Sequence, residues 1–165
     1  MTTLPTARLL LAPLDRASAE HLAAGTPRPP DDRWGPGYPD AADRAGAERF
    51  LRLLAEGGDP GPFGAYEIRG REDGVAIGGA GFHGPPDAAG RVTVGFGLIP
   101  AARGRGLAVE ALRALLDHAR SHGARGVDGD TDRGNTASGR VMAAAGMRFL
   151  RDDGRLRHYA VTWTG

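Results

Sequence analysis

The chain has 165 residues, of which 41% are hydrophobic and 25% charged, the proportions of an ordinary globular domain, so neither a disordered chain nor a membrane protein is expected. It has no cysteine and all 21 of its basic residues are arginine, which removes disulfides, thiolate nucleophiles and ligands, Schiff-base chemistry and a P-loop lysine. A formal net charge of +1, with acids and bases interspersed, lacks the basic field of a nucleic-acid binder.

No apolar run approaches the roughly 18 residues that span a bilayer. The stretch at 9–14 is short and flanked by Arg8 and Asp15, so it reads as a strand rather than a signal peptide, and the cytoplasm is the expected compartment. Asp15 followed by RASAEHLAA and Gly25 reads as a capped helix with a glycine stop. Residues 26–39 hold Pro27, Pro29, Pro30, Pro36 and Pro39 together with Trp34 and Tyr38, which predicts a long loop of the kind that carries function. From Asp40, the run DAADRAGAERFLRLLAEGG spaces Phe50, Leu51, Leu53 and Leu54 as a helix and stops at Gly57-Gly58. FGAYEIRG, VAIGGAGFHG and RVTVGFGLI follow, separated by EDG and PPDAAG turns, as an antiparallel meander. The period then changes: Leu107, Ala111, Leu112, Leu115 and Leu116 form a helical stripe that stops near Gly123. A strand around GVDGD, a helix over 136–145 closed by Gly146, and two strands around Asp153-Gly154 complete the order β-α-α-β-β-β-α-β-α-β-β. This is a mixed α/β domain, one domain over residues 1–165, with a strand-helix-strand crossover in its middle.

The chemistry concentrates in IPAARGRGLAVE, between the last strand of the meander and the next helix. Gly104 and Gly106 let successive backbone N–H groups converge, the helix start adds partial positive charge, and Arg103 and Arg105 add cationic donors, which together make a phosphate site. A dinucleotide turn fits less well, because Val109 stands where the third glycine of GxGxxG belongs, and a Walker loop needs a lysine. Taken alone, RGRG is also what a flexible turn or a fragment of an RNA-binding Arg-Gly tract looks like.

Arg103-x-x-Gly106-x-Ala108, after a strand and before a helix, resembles the Arg/Gln-x-x-Gly-x-Gly/Ala signature of the GCN5-related N-acetyltransferases (GNAT). Asn135-x-x-Ser138, with Gly146-Met147 further on, resembles their ribosomal-protein N-acetyltransferase (RimJ/RimL-like) branch, and the resemblance covers nearly the whole chain, from about Thr6 to Trp163. It implies the GNAT α/β fold, a mixed and mostly antiparallel central sheet with a splayed central strand pair and flanking helices. It implies acetyl-CoA as cosubstrate, with the pyrophosphate on Arg103, Gly104, Arg105, Gly106, Leu107 and Ala108. The pantetheine arm would lie between the backbone of Leu98 and Ile99 and the side chain of Asn135, with Ser138 near the sulfur or the cofactor's adenylate end. A backbone N–H at Leu98 or Ile99 would serve as the oxyanion donor. Asn135 and Ser138 also suit a helix cap, a role compatible with the first. The implied acceptor is a primary amine, of a small molecule or a protein N-terminus, that attacks directly with no covalent enzyme intermediate. A homodimer is compatible with this, and no nucleic-acid or membrane partner is expected.

The chain departs from the pattern at three places. Thr93 stands where relatives often carry an acid, Met142 where many carry a tyrosine, and Ala160 follows Tyr159 where some carry a glutamate. General acid and base are therefore unassigned, although an ammonium with a pKa near ~10 must lose its proton and a positioned base is worth roughly 10² to 10⁴ in rate. His83, at the end of a strand, and Ser138 are the catalytic candidates. His21, His118, His122 and His158 suit structural roles, and no metal-ligand spacing is present. The acceptor pocket is placed among Trp34, Tyr38, Phe82, His83 and Tyr159, with the alternative that Trp34 and Tyr38 pin the loop to the core. The departures also motivate a degenerate, non-catalytic acyl-CoA-binding or regulatory module. The arginines motivate an RNA-associated protein, which the near-neutral charge disfavours.

Overall fold

The computed structural model describes residues 2–29 and 32–164, so Pro30 of the proline-rich loop lies outside the described residues. The strands are β1 (Leu4–Pro5), β2 (Leu9–Pro13), β3 (Ala65–Gly70), β4 (Ala76–Phe82), β5 (Arg91–Leu98), β6 (Gly126–Asp132), β7 (Arg148–Asp152) and β8 (Leu156–Thr162). The helices are α1 (Arg16–Ala24), α2 (Ala41–Gly57), α3 (Leu107–Ser121) and α4 (Thr136–Ala144). Each expected element is present, and β1 is additional: two residues carry no alternation to read, and only its pairing of Leu4 with Leu11 makes it a strand. Three helices start on side-chain caps. Asp15 accepts from the Ser18 N–H at 2.7 Å, Asp40 and Asp43 form a reciprocal capping box, and Asn135 accepts from the Ser138 N–H at 3.1 Å. None of the helices among the described residues is long and apolar enough to cross a membrane.

The sheet runs β1-β2-β3-β4-β5-β6-β8-β7 and is antiparallel except between β5 and β6. Those two pair only through Arg91–Thr93 and Gly126–Asp128. Beyond that point β5 stays with β4 as far as Leu98 and β6 stays with β8 as far as Asp132, so the sheet parts in its middle. The parting starts just after Thr93. Arg91 fastens the last paired rungs, with Nε 3.0 Å from Asp128 Oδ2 and Nη2 2.9 Å from Oδ1. Both side chains reach solvent, so the pair fixes register more than it stabilises, at about 0–1 kcal/mol.

The two faces of the sheet are covered differently. Phe82, on one face of β4, stacks on His118 of α3, while Gly79, on the other face, lies under Asp43 of α2. The α3 side holds the deepest core, where Leu112 and Leu115 are fully buried, each stabilising the fold by roughly 1.5–3 kcal/mol.

Candidate active site

The backbone of β5 decides what the parted sheet offers. His83 donates its N–H to the Thr93 carbonyl at 2.9 Å and Ile99 donates to the Ile77 carbonyl at 2.8 Å. Between these rungs an antiparallel ladder alternates, so the backbone groups of Val94, Phe96 and Leu98 point to the side that β6 has left. A cleft of about 1000 Å³ opens there, with Phe96 and Leu98 on one wall and Asn135, Ser138 and Val141 on the other.

The end of the cleft is the turn before α3. Gly104 and Gly106 have φ of 81° and 76°, values that side chains rarely adopt. Helix α3 starts without a side-chain cap, so its first-turn N–H groups remain available to an anion. Arg103 donates from Nε to the Leu98 carbonyl at 3.0 Å, which sets its guanidinium along the cleft. The turn is braced from behind. Glu110 accepts from the Arg8 N–H and Nε, both at 2.8 Å, and from the Thr6 hydroxyl, while Arg8 donates to the Arg105 carbonyl at 2.9 Å.

A second cavity, of about 350 Å³, lies on the α2 side of the same strands. Its floor carries no side chains, because Gly79 stands directly opposite Gly97, and Gly81 opposite Gly95, on one face of β4 and β5. A Cβ on Gly79 would stand 2.8 Å from Asp43 Oδ1, one on Gly95 would stand 3.1 Å from His83 Nε2, and one on Gly97 would meet nothing within 4 Å. Asp40, Ala42, Phe96 and Gly97 line both cavities, so cleft and chamber meet over the bare position at Gly97. Burial, reinforced by the Asp40 and Glu67 carboxylates, pushes the Asp43 carboxyl up to about 7 against the bond it accepts from the Asp40 N–H. One edge of His83 reaches solvent. The packing around its ring, and then the Arg49 guanidinium, hold its pKa below the usual histidine value, which leaves it neutral at pH 7.

A family model described as an acetyltransferase (GNAT) domain matches residues 8–148. The chain belongs to the GNAT acetyltransferases. It is an N-acetyltransferase that takes its acetyl group from acetyl-CoA. Among solved structures, an acetyltransferase from Agrobacterium tumefaciens is 24% identical with a TM-score of 0.67, over 99% of this chain and 95% of its own. The ribosomal-protein-S5-alanine acetyltransferase from Vibrio fischeri is 15% identical with a TM-score of 0.68, over 98% and 97%. RimL, the ribosomal L7/L12 alpha-N-protein acetyltransferase, in complex with coenzyme A, is 15% identical with a TM-score of 0.65, over 98% of each chain. The branch to which the Asn135 motif points thus stands among the structural neighbours. These identities bear on the fold alone. No curated protein matches the sequence closely enough to count as a relative.

In this acetyltransferase, Leu98, Arg103, Gly104, Gly106, Leu107, Ala108, Asn135 and Ser138 all line the cleft. Ile99 and Arg105, expected with them, do not. The Ile99 N–H is donated to Ile77, its carbonyl accepts from the Ala102 N–H at 3.0 Å and its side chain is buried, so it has nothing left to offer. Arg105 donates to the Ala101 carbonyl at 2.8 Å on the outer side of the turn. Leu98 offers its N–H only, since Arg103 occupies its carbonyl.

Of the residues expected around the acceptor, Phe82 and His83 line the chamber, whereas Trp34, Tyr38 and Tyr159 line neither cavity. Tyr38 is buried, donates its hydroxyl to Glu67 at 2.8 Å and meets Trp34 edge-on at 5.9 Å, while Trp34 bridges to Ala76, so these two rings pin the loop to the core. Tyr159 lies under α4, where its hydroxyl would be 2.5 Å from a Cβ on Gly139. Sequence reasoning missed Asp43 altogether. Asp40-x-x-Asp43 before a helix reads as a cap, which it is, and that role hides the oxygen turned to the chamber.

Proposed function

We propose that the chain, as one catalytic unit over residues 1–165, acetylates a primary amine by direct attack at the seam where its two cavities meet. Gly97 carries this reading: it borders both cavities and has open space where a side chain would stand. Acetyl-CoA supplies the activated acetyl group and a thiolate leaving group. The fit rests on the uncapped start of α3, the two positive-φ glycines and the Arg103 guanidinium, which together suit a pyrophosphate. The Leu98 N–H, aimed into the parted sheet, would donate to the thioester oxygen as it gains negative charge, and such donors are worth roughly 10² to 10³ in rate. Asn135 and Ser138 border the path of the pantetheine arm, and the Ser138 hydroxyl is the candidate proton donor to the thiolate, since Met142 is buried and has no proton to give. Neutral His83, which lines the chamber on the amine side, can take up a proton that the reaction releases there.

The amine would enter from the α2 face. Both a protein N-terminus, as in the names of the ribosomal-protein neighbours, and a small amine remain within this reading. The cytoplasm suits it, and the reaction as drawn uses residues of one chain with no nucleic acid or membrane. The test is thiol release from acetyl-CoA across an amine panel, with amine-dependent release expected. A protein that binds acetyl-CoA yet releases no thiol with any amine would be the non-catalytic binding module.

A further inference from the structure

Resting on that reading, we propose that Asp43 receives the acceptor, its carboxylate holding the ammonium of a compact, largely apolar primary amine over Gly97 and taking the proton that frees the nitrogen lone pair. The capping box occupies only one of its oxygens: Oδ2 accepts from the Asp40 N–H at 3.0 Å. Oδ1 lies over Gly79 and accepts no hydrogen bond from the described residues, and the Asp40 carboxyl beside it is close enough to share the Asp43 proton when that group is protonated. Gly79 is the direct cross-strand partner of Gly97, one rung of about 5.5 Å away, so an ammonium over Gly97 lies within hydrogen-bond reach of Oδ1. His83 Nε2, over the diagonal Gly95, closes the other side.

The surroundings specify the amine. Asp40 and Asp43 project into the chamber from α2, and Glu67 stands behind them on β3, where it accepts from the Tyr38 hydroxyl and from Arg69 at 2.6 Å. Arg69 is thus engaged by Glu67. Arg49, also on α2, lines the chamber and acts on His83, as does Asp130 of β6. The remaining side-chain lining is mainly apolar, with Leu14, Leu22, Ala47 and Phe50, and the volume is near the low end of small-molecule sites, about 300–1,000 Å³. One ammonium on an apolar body satisfies this space. A polyamine would bring a second charge to an apolar wall, and a peptide N-terminus would bring amide groups that find no partners there.

Asp43 takes one proton from the ammonium, the nitrogen lone pair forms the C–N bond to the thioester carbon, and the carbonyl electron pair moves to the oxygen facing Leu98. When that pair returns, the C–S bond breaks and its electrons leave on sulfur. The Ser138 hydroxyl gives its proton to the thiolate and regains one from the second proton on nitrogen, and Asp43 releases its proton to solvent. Products are the amide, the thiol and one proton.

Phenethylamine is the probe. Asp43→Asn keeps an oxygen to accept the Asp40 N–H, so thermal unfolding should stay cooperative and acetyl-CoA affinity should hold within about twofold. Calorimetric binding of phenethylamine to the CoA-loaded protein should weaken roughly tenfold or more. Its kcat/KM should fall roughly a hundredfold, and the rise of kcat/KM with pH near 7 should vanish, while His83→Gln retains that rise and Asp43→Glu regains part of the activity. If Asp43→Asn binds and turns over phenethylamine as the wild type does, Asp43 is only a cap and this proposal falls while the acetyltransferase reading stands. A wild-type preference for spermidine or for an alanine-initiated hexapeptide overturns the amine class. Failure of every amine to release thiol removes both readings together.

Discussion

The cleft and the chamber share a border at Gly97 but are built from different material. The cleft is a backbone device: a parted strand edge, a turn with two positive-φ glycines and a helix start left uncapped. The chamber is a side-chain device, in which four glycines clear a floor and α2 lowers Asp43 onto it. A backbone site tolerates most substitutions that leave φ and the nearby Cβ space alone. A side-chain site can be retuned by one conservative change.

The sharpest test of that contrast is the seam itself. Gly97→Val adds a β-branched residue that suits a strand, with a Cβ that meets nothing within 4 Å, so the protein should fold with Tm close to that of the wild type. Amine-dependent turnover should nevertheless fall roughly a hundredfold or more, because the reacting groups no longer approach. Wild-type turnover from this variant would place the chemistry elsewhere. On the cleft side, acetyl-CoA at a hundred times its Kd should add about 2.7 kcal/mol, a Tm rise of roughly 5–10 °C. Arg103→Ala should raise the acetyl-CoA Kd about tenfold in the same thermal titration. Gly106→Val is a poor substitute for it, since at φ 76° a branched residue is strained before any ligand arrives.

The chamber should also show in the pH dependence of stability. With its carboxyl raised to about 7 from an ordinary 3.8, Asp43 is still protonated in the folded protein where the unfolded chain has already ionised. Its contribution to stability is therefore complete below about pH 4, shrinks as pH rises and is gone above about 7. Asp43→Asn should remove that slope in urea melts from pH 4 to 8, gaining on the wild type as pH rises. A parallel pair of curves would mean that the carboxyl is well solvated. The smallest effect belongs to the proline-rich loop: Tyr38→Phe loses the bond to Glu67, for about 1 kcal/mol by denaturant unfolding, and should leave the KM for amine and acetyl-CoA unaltered. A raised amine KM would return the loop to the acceptor site.

Most of the fold and the phosphate turn were legible because their signals are local. Asp15 and Gly25 bracket α1, alternation marks β3 to β5, and Arg103 to Ala108 are consecutive in the chain, so backbone sterics and capping act within a few residues of one another. The acceptor side was not legible in the same way. Trp34 and Tyr38 look alike as pocket walls or as anchors until Glu67 and Ala76 are seen beneath them. Ile99 looks available until Ile77 and Ala102 are found to use its backbone groups. By itself, then, the sequence determined the order of elements, the family and the anion-binding turn. Only the tertiary structure decided where the sheet parts, which oxygen of Asp43 faces the chamber and why Gly97 is bare, because each depends on residues far apart in the chain that only packing brings together.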